Sequence, residues 1–231
     1  MKPYDEKRMM DAFKSCDFEK KEDKKPKLET QEKIDKFPSL EKIMEGYRQA
    51  LHTDLEIGIS HDIRRGYQKM IKIAEKTGCT GEDIAAFCEE LNRHPFIYRL
   101  TRFVQRRKTG IYISALVNSC IDENETIAIK PPKKLHFIGS YLPRGTLIID
   151  TDVGSHACTE MENSKVIIKG NAGGYLGILA KYGRIEVEGN VGMELGLASI
   201  FTRFDVGGRI TNISTIIAGK VYRKGELIYK S

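Results

Sequence analysis

Residues 165–177 read Lys-Val-Ile-Ile-Lys-Gly-Asn-Ala-Gly-Gly-Tyr-Leu-Gly, and residues 184–196 read Arg-Ile-Glu-Val-Glu-Gly-Asn-Val-Gly-Met-Glu-Leu-Gly. The second stretch repeats the first after 19 residues, with the apolar pair, the Gly-Asn turn and the final Leu-Gly in matching columns. Blocks of the same length extend from Thr146 to Val221. A period of this length with one short strand per unit is typical of a stacked coil, in which each unit covers the core of its neighbours.

Each unit contains one strand with alternating apolar residues. Val166 and Ile168 in one unit recur as Ile185 and Val187 in the next. A period of two predicts a strand with one face turned toward a core. We therefore predict an α+β protein in which residues 111–231 form a parallel β-helix with 19 residues per turn.

Six glycines occupy matching columns of the two central units, and we predict a structural role for them. A glycine at a fixed column is expected where the chain turns with a positive φ or where successive turns approach closely. The stretch does not match a phosphate-binding loop, because it has neither the GxGxxG nor the Walker A spacing and no helix opens after it. The predicted turn glycines are Gly170, Gly173, Gly177, Gly189, Gly192 and Gly196.

The two quoted segments resemble the glycine-repeat (GxGxG) domain of two enzyme systems. One is the C-terminal β-helix of the glutamate synthase large subunit, and the other is the C subunit of formylmethanofuran dehydrogenase. The resemblance covers roughly residues 135–208 and implies a right-handed β-helix that packs against catalytic neighbours without supplying the chemistry itself. The outer units depart from the pattern, since Cys158 replaces a glycine and Arg209-Ile-Thr replaces Asn-x-Gly.

The chain before the repeats divides into two parts. Residues 1–38 are rich in Lys, Glu and Asp and poor in apolar residues, so we predict a flexible tail, with a docking segment as the alternative. Residues 39–110 predict a small helical domain of four short helices. Ser39 and the Thr80–Asp83 pair are candidate N-terminal caps, and Gly78 is a candidate helix stop.

The predicted fourth helix, residues 95–110, carries the most basic surface of the chain. No acidic residue lies between His94 and Gly110. Such a face could bind the phosphates of a nucleic acid or of a smaller anion. A solvated or acid-paired basic face is the ordinary alternative, and we favour it because the net charge of the chain is only +6. The candidate anion-binding residues are Arg99, Arg102, Arg106, Arg107 and Lys108.

Residues 111–118 alternate between apolar and more polar side chains, and we predict a strand there. Both ends of an open β-helix expose core and unpaired backbone, so they need covers. The helical domain and this strand are the candidates for the first end. Residues 221–229 are the candidate for the second.

One column of the repeat carries like charges. Lys165, Arg184 and Arg203 should stack on successive turns about 4.8 Å apart. Like charges at that distance are unfavourable unless they are neutralised, and Glu186 and Asp205 face the same way. We predict a mixed-charge ladder, with an anion-binding stripe or a docking face as the alternative.

Candidate catalytic and metal-binding groups do not form a recognisable set. The five histidines and five cysteines show no metal-ligand spacing, so we predict reduced thiols, no metal and no cofactor. His156 and Cys158 lie two residues apart on a predicted strand and so share a face, which would suit a nucleophile. No third group can be named to activate them, and we favour a chance pair.

We expect a non-catalytic scaffold or subunit that organises a larger assembly, of redox, amidotransferase or formyl-transfer type, through its β-helix. The alternatives are an accessory enzyme subunit with a site at the junction of the helical and β-helix domains, and a polyanion or nucleic-acid binder using residues 95–108. We expect a protein partner or a homo-oligomer, and do not favour nucleic acid. A charged N-terminus and the lack of a long apolar run predict a cytoplasmic protein that does not enter a membrane.

Overall fold

A computed structural model describes residues 36–53, 60–95, 100 and 102–231. Contacts divide the chain into Met1–Lys33 and Ile34–Ser231, and all the described residues belong to the second unit. Within them, four α-helices precede six parallel strands and one antiparallel strand, which confirms the α+β layout. The predicted tail lies outside the described residues except at residues 36–38.

The first three helices lie where the sequence predicts them: α1 (Leu40–His52), α2 (Ser60–Ala74) and α3 (Gly81–Arg93). The capping box at the start of α3 is confirmed, because Thr80 Oγ1 accepts from the Asp83 amide and the Asp83 carboxylate accepts from the Thr80 amide. A 3₁₀ turn follows α2 and ends at Gly78, whose φ of +60° makes it the predicted stop. Ser39 makes no capping bond, and its hydroxyl donates to the Gly78 carbonyl instead.

Helix α4 (Phe103–Cys120) overlaps both the predicted fourth helix and the predicted strand at residues 111–118. The strand prediction is wrong, and the predicted helix ends too early, at Gly110. The alternating pattern misled because every residue from Thr109 to Val117 is buried. A helix that is buried on all sides has no polar face, so its sequence carries no 3.6-residue period. The domain boundary drawn between residues 110 and 111 falls inside this helix.

Gly110 allows α4 to approach the first turn of the coil closely. A Cβ atom at this position would collide with the His136 carbonyl oxygen. One helical turn further on, Ser114 Oγ donates to the Phe137 carbonyl at 3.0 Å. Helix α4 therefore covers the first end of the coil, which is the position that the sequence assigned to a strand.

The sheet contains β1 (Thr126–Ile129), β2 (Thr146–Ile149), β3 (Lys165–Ile168), β4 (Arg184–Val187), β5 (Ile200–Val206), β6 (Ala218–Arg223) and β7 (Glu226–Lys230). Strands β1 to β6 stack in parallel, one per turn, and make five turns of coil in the described chain. The register aligns Thr126, Thr146, Lys165, Arg184, Arg203 and Lys220, so successive turns contain 20, 19, 19, 19 and 17 residues. The 19-residue period of the parallel β-helix is thus confirmed for the central turns.

The alternating apolar residues form the core of the coil, as predicted. Val166 pairs with Ile185 and Ile168 pairs with Val187 in adjacent turns. Each of these four side chains is at most 2% exposed. The continuous stack of β-branched side chains accounts for the strong register, since a slip of one residue would turn the apolar set outward.

The turn glycines fall into two geometric groups. Gly177 and Gly196 have φ values of +67° and +72°, a region that other residues adopt at a cost. Cys158 occupies the same column with a φ of +58° and bears that cost, which is of order 1 kcal/mol. The other group leaves no space for a side chain, because a Cβ would lie within 2.7 Å of the neighbouring turn: Gly170, Gly173, Gly189 and Gly192.

The asparagines beside these glycines form a ladder between turns. Asn171 Oδ1 accepts from the Asn190 amide at 2.9 Å, and Asn190 Oδ1 accepts from the Arg209 amide at 2.8 Å. Asp152 begins the ladder by accepting from the Asn171 amide at 2.8 Å, and this bond lowers the pKa of Asp152. The Gly-Asn repeat therefore satisfies backbone donors that the short strands leave unpaired.

The predicted mixed-charge ladder is confirmed on the outer face of β3 to β5. Glu186 lies 2.9 Å from Lys165 and 2.8 Å from Arg184. Asp205 lies 2.9 Å from Arg184 and 2.8 Å from Arg203. Each carboxylate thus lies between two cations, which removes the repulsion within the column.

The second end of the sheet differs from the prediction. Residues 221–229 were expected to cover it, but β7 pairs antiparallel with β6 and extends the sheet by one strand. Tyr229 packs partly against the core, whereas Leu227 and Ile228 are 50% and 46% exposed. The sheet therefore ends in an edge strand.

Candidate functional site

An aromatic ladder runs along one corner of the first turns of the coil. The rings of Phe137, His156 and Tyr175 stack with 4.8 Å between neighbouring centroids. All three residues have φ values between +60° and +62°, so the backbone repeats the same left-handed corner in each turn. The 19-residue register already placed His156 over Tyr175, and one further step along it would have found Phe137.

The first turns of α4 pack against the beginning of this ladder. The Phe103 ring lies 4.5 Å from the His136 ring. The Arg107 guanidinium lies 5.4 Å from the Phe137 centroid and 5.8 Å from the Phe103 centroid, within the range of cation–π attraction. Arg107 is only 8% exposed, and its Nε has no hydrogen-bond partner among the described residues. Two rings therefore surround a buried cation that has no carboxylate paired with it in this part of the chain.

The histidines at this junction favour the neutral form. Burial first, and then the nearby cations of α4, lower the pKa of His136. Burial and the charge of Arg107 lower the pKa of His156 in the same way. His136 Nδ1 accepts from the Ser155 amide at 3.0 Å, so the neutral ring carries its proton on Nε2. The junction thus combines a permanent cation with an imidazole N–H donor.

The candidate anion-binding residues are mostly engaged within the chain. Two of them donate to backbone carbonyls: Arg106 Nε to Leu100 at 2.6 Å, and Lys108 Nζ to Leu51 at 2.6 Å. Arg107 lies between the two phenyl rings, and Arg102 is exposed at the start of α4. Arg99 lies outside the described residues. These contacts favour the interpretation of the basic stretch as a structural element that fastens α4 to its surroundings.

His156 and Cys158 do not share a strand face. Both have positive φ values and lie in the corner of a turn, so their side chains do not follow the strand alternation. Cys158 is fully buried, and burial raises the pKa of its thiol. A buried thiol with a raised pKa is a poor nucleophile, which supports the chance-pair interpretation.

A pair of thiols that no sequence pattern indicates lies on the other side of α4. Cys79 and Cys120 line an open cavity together with Asp122, Glu125 and Arg144. A hydrogen bond with Cys120 lowers the pKa of Cys79 to about 7. Cys79 is only 6% exposed, so reagents in solution would reach it through local opening of this cavity.

Large apolar side chains are exposed on the last turns of the coil. Tyr182 and Phe201 occupy one column, and their rings stack 5.5 Å apart with 17° between their planes. Tyr182 is 55% exposed and Phe201 is 64% exposed. Ile217 is 59% exposed, and its amide donates to Ser199, two residues before Phe201. We call Tyr182, Phe201 and Ile217 the apolar patch, a kind of surface that often marks an interaction site.

Comparison of the chain with protein-family models, with curated proteins and with solved structures gives no match in any of the three. Among the described residues, no group of three or more His, Cys, Asp or Glu side chains is placed to hold a metal ion. In the same part of the chain, no helix has the length and apolar character needed to cross a bilayer.

Proposed function

We propose that this chain is a non-catalytic scaffold or assembly subunit whose β-helix binds a protein partner through the apolar patch. The observation that carries the proposal is the exposed stack of Tyr182 on Phe201. Aromatic side chains dominate the energetics of protein interfaces when they become buried there. Two large rings held together in water leave that apolar area available for a partner.

The backbone at these two rings supports the same proposal. Tyr182 and Phe201 have φ values of +50° and +49°, a left-handed conformation that costs of order 1 kcal/mol for each residue. The asparagine in the same column of the preceding turn, Asn163, has a φ of +47° and tolerates it more easily. Large rings in strained positions are consistent with a preorganised binding surface, because little side-chain freedom is then lost on association.

The resemblance of the glycine repeats to glutamate synthase and to formylmethanofuran dehydrogenase points in the same direction. In those systems the repeat domain organises catalytic neighbours. The choice of a redox, amidotransferase or formyl-transfer assembly for this chain depends on that resemblance alone, while the apolar patch is independent of it.

One observation favours a second candidate function, that of an accessory subunit with an anion site at the junction of α4 and the coil. Arg107 is buried without a carboxylate or hydrogen-bond acceptor for its Nε among the described residues. A small anion at this position would supply the missing charge, and the His136 Nε2–H is a second donor for it. A long nucleic acid is less favoured, because Arg106 and Lys108 already donate to backbone carbonyls.

The scaffold proposal is tested by quantitative co-purification of the tagged full chain from its native cell. We expect one protein to accompany the wild type in a fixed ratio and to be lost from Tyr182→Ser and Phe201→Ser. Met193→Ser is the matched control, since Met193 is 54% exposed but belongs to a different column of the repeat.

Retention of the partner by both patch variants would contradict the proposal, and so would an equal loss from the Met193 control. Thermal melts of all three variants establish that the fold is intact. Binding of the purified partner to the wild type, measured directly, then replaces co-purification as the readout.

A further inference from the structure

The two edges of the sheet are treated differently by the fold. At the first edge, α3 packs against β1, and the space beside Gly81 is filled by the Ile127 side chain. At the last edge, β7 pairs with β6 on one side, and no described strand pairs with its other side. An uncovered edge strand presents a row of free backbone donors and acceptors to another strand.

The pairing of β7 with β6 shows which backbone groups are free. Ser231 and Gly219 exchange two hydrogen bonds, at 3.2 and 3.5 Å. Because hydrogen-bonded and non-hydrogen-bonded pairs alternate in an antiparallel ladder, the N–H and C=O of Lys230 point away from β6. The side chains of Leu227 and Ile228 are also half exposed, so this edge combines free backbone groups with apolar surface.

We propose that β7 pairs antiparallel with β7 of a second copy of this chain, in a two-fold symmetric register centred on Ile228. The sequence Glu226-Leu-Ile-Tyr-Lys230 is complementary to itself in this register. Glu226 faces the partner subunit's Lys230, Leu227 faces the partner subunit's Tyr229, and Ile228 faces its own copy. Opposite charges and apolar pairs directly across two strands are both favourable. A two-fold interface requires such self-complementarity.

The charge pattern selects a second copy over a strand from an unrelated protein. Each end of the five-residue strand carries one charge, of opposite sign at the two ends, so only an antiparallel partner with the same order satisfies both. The β6–β7 register shifts at Val221/Tyr222, which leaves Ile228 as an extra residue in β7. A bulge of this kind limits the length of edge pairing, so the dimer is a reversible one.

The interface is distinct from the apolar patch, so it stands or falls separately from the scaffold proposal. The test is the mass of the purified full chain in solution, followed by sedimentation equilibrium over a range of concentrations. We expect a reversible monomer–dimer equilibrium. Glu226→Lys places Lys opposite Lys, and Lys230→Glu places Glu opposite Glu, twice per dimer. Each should weaken the dimer roughly 2- to 30-fold.

Mixing the two single variants decides the register. In the mixed dimer, the introduced lysine of one copy faces the introduced glutamate of the other, and the two unchanged residues face each other at the opposite end. Both ends then carry opposite charges, so we expect the mixture to regain the wild-type affinity. Lys224→Glu is the matched control, because Lys224 lies in the hairpin turn outside the proposed pairing.

A monomer at every concentration, or a dimer that neither charge reversal weakens, would overturn the proposal. Failure of the mixture to recover would do the same, because it would show that Glu226 and Lys230 do not face each other.

Discussion

Ile185 occupies the centre of the core stack at the scale of single residues. It pairs with Val166 in the preceding turn and with Phe204 in the following one, and it is fully buried. Ile185→Ala leaves a cavity between those two side chains and should lower the free energy of unfolding by about 2–5 kcal/mol. Urea denaturation measures this loss. The control is Glu188→Lys, at an exposed position just after β4, which should change the stability by less than about 0.5 kcal/mol.

The buried histidines predict a pH dependence of stability. The pKa values of His136 and His156 are lowered in the folded chain, so the unfolded chain takes up protons first as the pH falls. Stability should therefore be complete above the ordinary histidine pKa of about 6.5 and should fall below it. The slope should be at most about 1.4 kcal/mol per pH unit for each histidine.

His156→Phe should reduce that slope, since phenylalanine keeps the stacking with Phe137 and Tyr175 without titrating. Urea titrations at several pH values between about 7 and 5 measure it. His52→Gln, at an exposed position in α1, is the control. An unchanged slope in His156→Phe together with a reduced slope in His52→Gln would show that the junction does not hold the titrating groups.

At the scale of elements, periodicity predicted those parts of the fold that face both core and solvent. The strands β2 to β4 expose alternate residues and were predicted from Val166, Ile168 and their equivalents. Helix α4 was not, because it is surrounded by protein on every side and its apolar residues therefore follow no surface period. The isoleucines at positions 111 and 113 alternate by chance within it.

The candidate sites follow the same division. The charge ladder and the stacking of His156 on Tyr175 lie within the repeat, so the 19-residue register predicted both. The contact of Arg107 with Phe137 and the pairing of Cys79 with Cys120 join distant parts of the chain. No local pattern reports such contacts, because they depend on how α4 docks on the coil and on α3.

Gly110 tests the docking of α4 directly. In an isolated helix, Gly→Ala stabilises by up to about 1 kcal/mol. Here the added methyl group would meet the His136 carbonyl, so the steric conflict should outweigh the gain in helix propensity. Gly110→Ala should therefore destabilise the fold by about 1–3 kcal/mol, as measured by urea denaturation. Stabilisation by this substitution would contradict the close contact between α4 and the first turn.

At the scale of the whole molecule, the helices and the coil form one structural unit that is covered at its first end. Tyr67 of α2 stacks on Tyr141 at 4.4 Å, and Asn118 of α4 donates to the Ser140 carbonyl at 3.1 Å. The last end is an edge strand with exposed apolar side chains. This asymmetry directs interactions toward the last turns, where the apolar patch and β7 both lie.

Hydrogen–deuterium exchange of the backbone amides in the native full chain tests this arrangement most directly. If α4 is the cover of the coil, the amides of α4 and of the buried strands β2 to β4 should exchange through one global opening, with equal free energies. The Lys230 amide, on the free side of β7, should exchange much faster in the monomer. Exchange of α4 at a clearly lower free energy than β3, with the coil still protected, would contradict the account.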